Sequence, residues 1–138
     1  MIGTMTPDEI EATLRRGRTG RLGCSVVDHP YVVPINYAYA DGFVYAYSAL
    51  GRKIGVMRQQ PRVCFEVDEI DGPSSWRCVI AEGRYEELAD EEARRAALTR
   101  LVRGADGLVH RVPDADRGTV VFRLRLSAKS GRFERRDA

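Results

Sequence analysis

The sequence predicts a mainly β fold of the α+β class: six antiparallel strands curled into a small barrel, closed by three peripheral helices. Three observations point there. Runs rich in valine, tyrosine and phenylalanine recur with turn residues between them. Asp41-Gly42 stands between two such runs, the strongest short-range signal for a hairpin. Helical patterning is confined to the ends of the strand-rich region and to one short insertion after the hairpin. The 138 residues form a single domain, long enough to bury roughly two-thirds of the surface of the unfolded chain.

Each element has its own warrant. Thr6-Pro7-Asp8-Glu9 is a capping box with proline at the first helical position, so a helix is expected from Pro7 to Arg16. Ile10 and Leu14 give it an apolar stripe and Gly17 stops it. Arg21 to Asp28 reads as a strand ended by the turn dipeptide His29-Pro30. The runs from Tyr31 to Ala40 and from Phe43 to Ala49 are the hairpin arms. Pro34 cannot donate a ladder bond, which puts it at an edge or a bulge. Arg62 to Asp68 alternates, with Val63, Phe65 and Val67 on one face and Cys64 and Glu66 on the other.

A polar loop around Asp71-Gly72-Pro73 leads to a long strand, Trp76 to Leu88, with a bulge expected at Gly83. Asp90 to Arg103 is the second clear helix, opened by Asp90, Glu91 and Glu92 and lined by Ala93, Ala96, Ala97 and Leu101. Residues 104–118 read as a loop. Thr119 to Leu126 is the last strand, with Val120, Phe122, Leu124 and Leu126 facing inward. The basic tail, 127–138, is expected to fray.

Composition works by exclusion. Lys+Arg 22 against Asp+Glu 20 leaves a net charge of +2, too balanced to call for a nucleic-acid or anionic-membrane partner. No apolar run approaches the ~18 residues of a membrane span, and the N-terminus lacks the pattern of a signal peptide. A soluble, cytoplasmic protein is expected. Cys24, Cys64 and Cys78 are an odd, widely spaced set without C-x-x-C pairing, so they read as buried thiols rather than as a metal site. His29 and His110 both fall in expected loops, which leaves no Ser-His-Asp set to assemble.

One stretch points to chemistry. With Asp41-Gly42 as a two-residue turn, Asn36 faces Tyr47, Ile35 faces Ser48 and Pro34 faces Ala49, so one end of the hairpin gathers an amide, a phenol and a hydroxyl. The chain then leaves as Leu50-Gly51-Arg52-Lys53 and continues as a short helix, Ile54 to Gln60, stopped by Pro61. Arg52 and Lys53 stand at its N-terminus, where the helix dipole disfavours cations by roughly 0.3–1 kcal/mol each. An anion held between them and the free N–H groups removes the conflict. Trp76 reads either as a rim hydrophobe or as a flat wall for a planar ligand or a dimer contact.

The residues also carry a resemblance. P-Y-V-V-P-I-N-Y, D-G-F-V-Y-A-Y-S-A-L-G-R-K-I-G-V-M-R, P-R-V-C-F-E-V-D and W-R-C-V-I-A-E-G-R together resemble the pyridoxamine 5′-phosphate oxidase-like flavoproteins, and most closely their nitroimidazole-resistance branch. The likeness runs in order from Met5 to Leu101, with an echo at Ser130-Gly131-Arg132. It implies a six-stranded antiparallel split β-barrel, a homodimer, and FMN in the groove between subunits. It assigns Ser48, Arg52 and Lys53 to the flavin phosphate, counts Ala49 among the cofactor-binding residues, and gives Pro34, Ile35, Asn36 and Tyr37 to the strand along the flavin ring. Tyr47 becomes a substrate contact beside the flavin, and Trp76 lines the same groove.

Many members of that branch have histidine where this chain has Tyr47, which sets nitroimidazole reduction in doubt. The chemistry implied is reduction of a small molecule with electrons from a nicotinamide donor. The alternatives are a deazaflavin-dependent reductase of the same fold or a non-catalytic flavin- or haem-binding protein; a haem reading lacks an obvious ligand.

Overall fold

In the computed structural model, which describes residues 1–103 and 118–136, the chain alternates short strands and helices before ending in long strands. In order these are β1 (Ile2–Thr4), α1 (Pro7–Arg16), β2 (Thr19–Val26), β3 (His29–Asn36), β4 (Ala38–Ala40) and β5 (Phe43–Ala49). There follow α2 (Arg52–Gln59), β6 (Arg62–Gly72), β7 (Ser75–Glu87), α3 (Glu91–Arg103) and β8 (Thr119–Glu134). All strands join one antiparallel sheet in the path β3-β2-β6-β7-β8-β5-β4, and β1 pairs with β8. The two ends of the path do not pair with each other, so the sheet curls but stays open, as in a split barrel.

The core lies inside that curl. Leu22, Val44, Phe65, Val79, Phe122 and Leu124 come from the strands, Leu14 from α1 and Ile54 and Met57 from α2. Each such side chain contributes about 1.5–3 kcal/mol when fully buried. A second, smaller cluster of Leu88, Ala97 and Val121 sits beneath α3. Ala96, expected on the inner stripe of that helix, is exposed, and Leu98 packs there instead.

α1 spans the predicted residues, capped by Thr6 Oγ1, which accepts from the Glu9 N–H at 3.2 Å. Gly17 stops it for a reason the sequence did not give. Its φ of −68° is ordinary, but a Cβ there would lie 2.1 Å from the Tyr37 hydroxyl.

The strand count is eight, not six, and two findings account for it. β1 was not foreseen, and the run from Tyr31 to Ala40 is broken at Tyr37, whose N–H donates to Arg18 O at 2.9 Å. The Asp41-Gly42 hairpin is therefore only three pairs long, Ala38–Tyr45, Tyr39–Val44 and Ala40–Phe43. Upstream of the break, β3 pairs with β2 as an edge strand: Asn36 faces Thr19, Ile35 faces Gly20 and Pro34 faces Arg21. Tyr47, Ser48 and Ala49 face Val121, Val120 and Thr119 of β8. The expected pairing of Asn36, Ile35 and Pro34 with Tyr47, Ser48 and Ala49 is thus overturned.

Three smaller corrections follow. The β2–β3 turn is Val27-Asp28, both at positive φ (45° and 59°), and His29-Pro30 belong to β3 rather than to a loop. Residues 127–134, expected in a fraying tail, continue β8. There Lys129 Nζ donates to the Glu11 carboxylate at 3.0 Å, and Glu134 accepts from Trp76 Nε1 at 2.9 Å. Among the thiols, Cys24 is buried, Cys78 is half-buried and Cys64 is exposed. The register of β7 on β8 does shift at Ala81/Gly83, where the bulge was expected. His110 and most of the 104–118 stretch lie outside the described residues.

Candidate functional site

The start of α2 is built by three local choices. Gly51 is the N-cap in extended backbone and supplies no side-chain cap; no acid stands in the first turn. The leading N–H groups of the helix are therefore without the side-chain acceptor that usually satisfies them. Lys53 folds back so that its Nζ donates to Ser48 Oγ at 2.9 Å, while Ser48 Oγ donates to Ala49 O at 2.8 Å. The Arg52 guanidinium lies 4.7 Å from the centre of the Tyr31 ring. Ile54, Val56 and Met57 are buried and hold the helix to the core, which fixes the two cations in place. The Ser48 hydroxyl, Lys53, Arg52 and the leading N–H groups thus all belong to the start of α2, a set that could hold a phosphate or carboxylate.

Tyr31 also walls an open cavity of about 650 Å³, bounded by β2, β3, β6, β7 and β8, within the usual range for small-ligand sites. Its floor depends on a glycine: a Cβ on Gly23 would lie 2.5 Å from Cys64 Sγ. Burial pushes the neighbouring Cys24 thiol above its ordinary range, against the pull of Arg52 and Lys53.

The structure brings Ser48, Ala49, Arg52 and Lys53 together and separates the rest. Ile35 and Tyr37 point into the core. The Tyr37 hydroxyl donates to Leu14 O at 2.8 Å, its ring meets Phe65 edge-on at 4.9 Å, and burial holds the phenol well above its usual range. Asn36 accepts from Thr19 Oγ1 at 3.0 Å, and Pro34 is exposed. Tyr47 packs on the cluster beneath α3, on the face of β5 opposite Ser48, because neighbouring strand residues alternate sides. Trp76 sits at the far end of β7 from the cavity, about 20 Å along the strand from Gly83. Within one chain it does not reach the α2 cations.

A second electrostatic feature lies on the outer face of the sheet. Cys78 Sγ donates to Glu66 Oε2 at 3.3 Å. Burial and the adjacent Asp68 push Glu66 up to about 7; burial and the bond to Glu66 push Cys78 up to about 12. By contrast, Arg123 and Arg125 hold Glu86 below the usual carboxylate range despite some burial. Among the described residues no group of three or more His, Cys, Asp or Glu could hold a metal ion, and no helix is long and apolar enough to cross a membrane.

Sequence reasoning missed Tyr31 as the partner of Arg52, and missed the cavity. Its signal would have been the β2–β3 turn: once Val27-Asp28 is the turn, Tyr31 pairs with Cys24.

Comparison places this open antiparallel split barrel within a family. Residues 6–133 match the family model described as pyridoxamine 5′-phosphate oxidase, and the chain belongs to that family. It is similar to an FAD-binding protein from Mesorhizobium loti, at 36% identity and a TM-score of 0.83, covering 98% of this chain and 99% of that one. It shares the fold of a candidate 5-nitroimidazole antibiotic resistance protein from Bacteroides thetaiotaomicron, with a TM-score of 0.77 at 21% identity over 96% of this chain and 89% of that one. An uncharacterized protein of Rhizobium meliloti (strain 1021) is 36% identical over 87 residues, 63% of this chain; the match spans 58% of that relative.

Proposed function

We propose that this chain is a flavin-binding oxidoreductase that holds FMN at the start of α2 and reduces a small molecule with electrons from a nicotinamide donor. One observation carries the reading: Gly51, Arg52 and Lys53 open a helix with cations and leave its N–H groups without a side-chain cap, beside a cavity of about 650 Å³. The FAD-binding relative at 36% identity supports the flavin class. In this reading Lys53 and Ser48 bond the phosphate, Arg52 neutralises it while braced by Tyr31, and the β3 edge lies along the ring. The flavin supplies the hydride or electron chemistry when bound; the protein supplies orientation and electrostatics.

A second copy of the chain is part of the proposal. Val32 and Ile80 stand 68% and 53% exposed on the outer face of the sheet, with Ile70 68% exposed beyond them, an apolar surface that a homodimer would cover. Trp76 from one subunit would then be free to approach the other's groove.

The test is an absorbance spectrum of the purified protein, repeated after adding FMN and then NADH or NADPH. A flavin band that bleaches under the reductant is the expected result. A protein that stays colourless with excess FMN overturns the assignment. A stable flavin band unaffected by any reductant leaves binding and removes turnover. Sedimentation of the holoprotein as a monomer removes the dimer.

A further inference from the structure

The cavity has a second charged wall that the flavin phosphate does not use. Arg62, Arg84 and Arg125 stand directly opposite one another on β6, β7 and β8 and all line the cavity. Neighbours across an antiparallel sheet lie about 5 Å apart at Cα, and like charges in that position repel. Arg125 is relieved by Glu86, at 3.1 Å, and lies 5.2 Å from the Phe43 ring centre. Arg62 and Arg84 have no ion pair and no side-chain hydrogen bond among the described residues. One carboxylate shares the rim, Glu82, two residues from Arg84 on the same face of the strand. Two exposed arginines therefore line the cavity from facing strand positions.

Such an exposed row is mildly unfavourable, and a bound anion relieves it. Guanidinium forks match phosphate oxygens two at a time, and three in line suit an extended anion better than a single phosphate. We propose that the Arg62-Arg84-Arg125 row binds the diphosphate of a dinucleotide whose other end reaches toward Tyr31 and the α2 start. This rests on the flavin reading and extends it. The dinucleotide is the nicotinamide donor, since the diphosphate of a flavin dinucleotide would include the flavin phosphate already assigned to the α2 start.

Titration calorimetry with inorganic pyrophosphate on the purified protein tests the row without any flavin. The native chain binds pyrophosphate, and the double variant Arg62→Gln/Arg84→Gln binds it weaker by ~tenfold or more, while FMN affinity stays within about twofold. The same pair of proteins is then titrated with FAD, NADH and NADPH. Selective loss of NADH or NADPH affinity is the expected result; selective loss of FAD affinity would put the flavin's own phosphate on the row and overturn the proposal.

Equal pyrophosphate binding by both proteins, or none by the native chain, overturns the proposal. So does a variant that changes only the sedimentation coefficient, which would make the row a subunit contact. Pyrophosphate binding with no binding of FMN or FAD would instead leave the anion row standing and remove the flavin.

Discussion

α1 and α2 begin in opposite ways. α1 opens with Thr6, Pro7, Asp8 and Glu9 and closes with Arg15 and Arg16, matching its dipole at both ends. α3 does the same at its start, where Asp90 Oδ2 accepts from the Ala93 N–H at 2.9 Å ahead of Glu91 and Glu92. α2 has a bare glycine cap, then Arg52 and Lys53, with no acid in its first turn. It is held by Ile54 and Met57, both fully buried, rather than by its ends. The contrast teaches that packing stabilises α2 while no side chain caps its start.

The largest way to break that contrast is the double variant Arg52→Ala/Lys53→Ala. If both make charge-assisted bonds to the flavin phosphate, affinity falls by about 1.5–3 kcal/mol for each, read by flavin fluorescence, with little change in the melting temperature of the apoprotein. Unchanged affinity would take both residues out of the site.

At α1 the corresponding change acts on stability alone. Thr6→Ala should cost about 1 kcal/mol in denaturant unfolding and leave flavin affinity untouched. A loss of flavin affinity there would mean that the two helix starts are coupled.

Gly51→Asp sharpens the comparison by giving α2 the cap that the other two helices have. The backbone there is extended, and a Cβ would meet only Ala49 O at 3.8 Å, so the substitution fits. Apoprotein stability should rise by a few tenths of a kcal/mol, while the new carboxylate occupies the anion's place and weakens FMN. A variant that gains stability and keeps full affinity would show that the phosphate lies elsewhere.

The last effect concerns carboxylates on the outer face. Glu86 meets arginines and is lowered, whereas Glu66 faces Asp68 and Cys78 and is raised from 4.5 to about 7. Between those values the native state keeps a proton that the unfolded chain has lost. Stability contributed by Glu66 is therefore full below about 4.5, falls as pH rises toward about 7 and levels off above it. Arg21, opposite Glu66 on β2, limits the size of the effect. Glu66→Gln should flatten that part of the stability–pH curve; an unchanged slope would assign it to other groups.

What could be read before the fold was known is local. The capping box at Thr6, the alternation of Val63, Phe65 and Val67, and the Ser48-to-Lys53 set each lie within a few residues of chain. Backbone periodicity alone fixes their geometry. The uncapped start of α2 with its two cations was legible for that reason, and so was the mainly β class.

Tertiary structure decided what depends on strand pairing. A buried Tyr37 divides a run that looked continuous, sends Asn36 to β2 rather than to Tyr47, and puts Tyr47 and Ser48 to work on opposite faces. Tyr31 beneath Arg52 and the row Arg62-Arg84-Arg125 come from distant parts of the chain. Register sets such neighbours, and a shift of one residue turns every side chain to the other face, so composition and spacing could determine the strands but not which of their residues would meet.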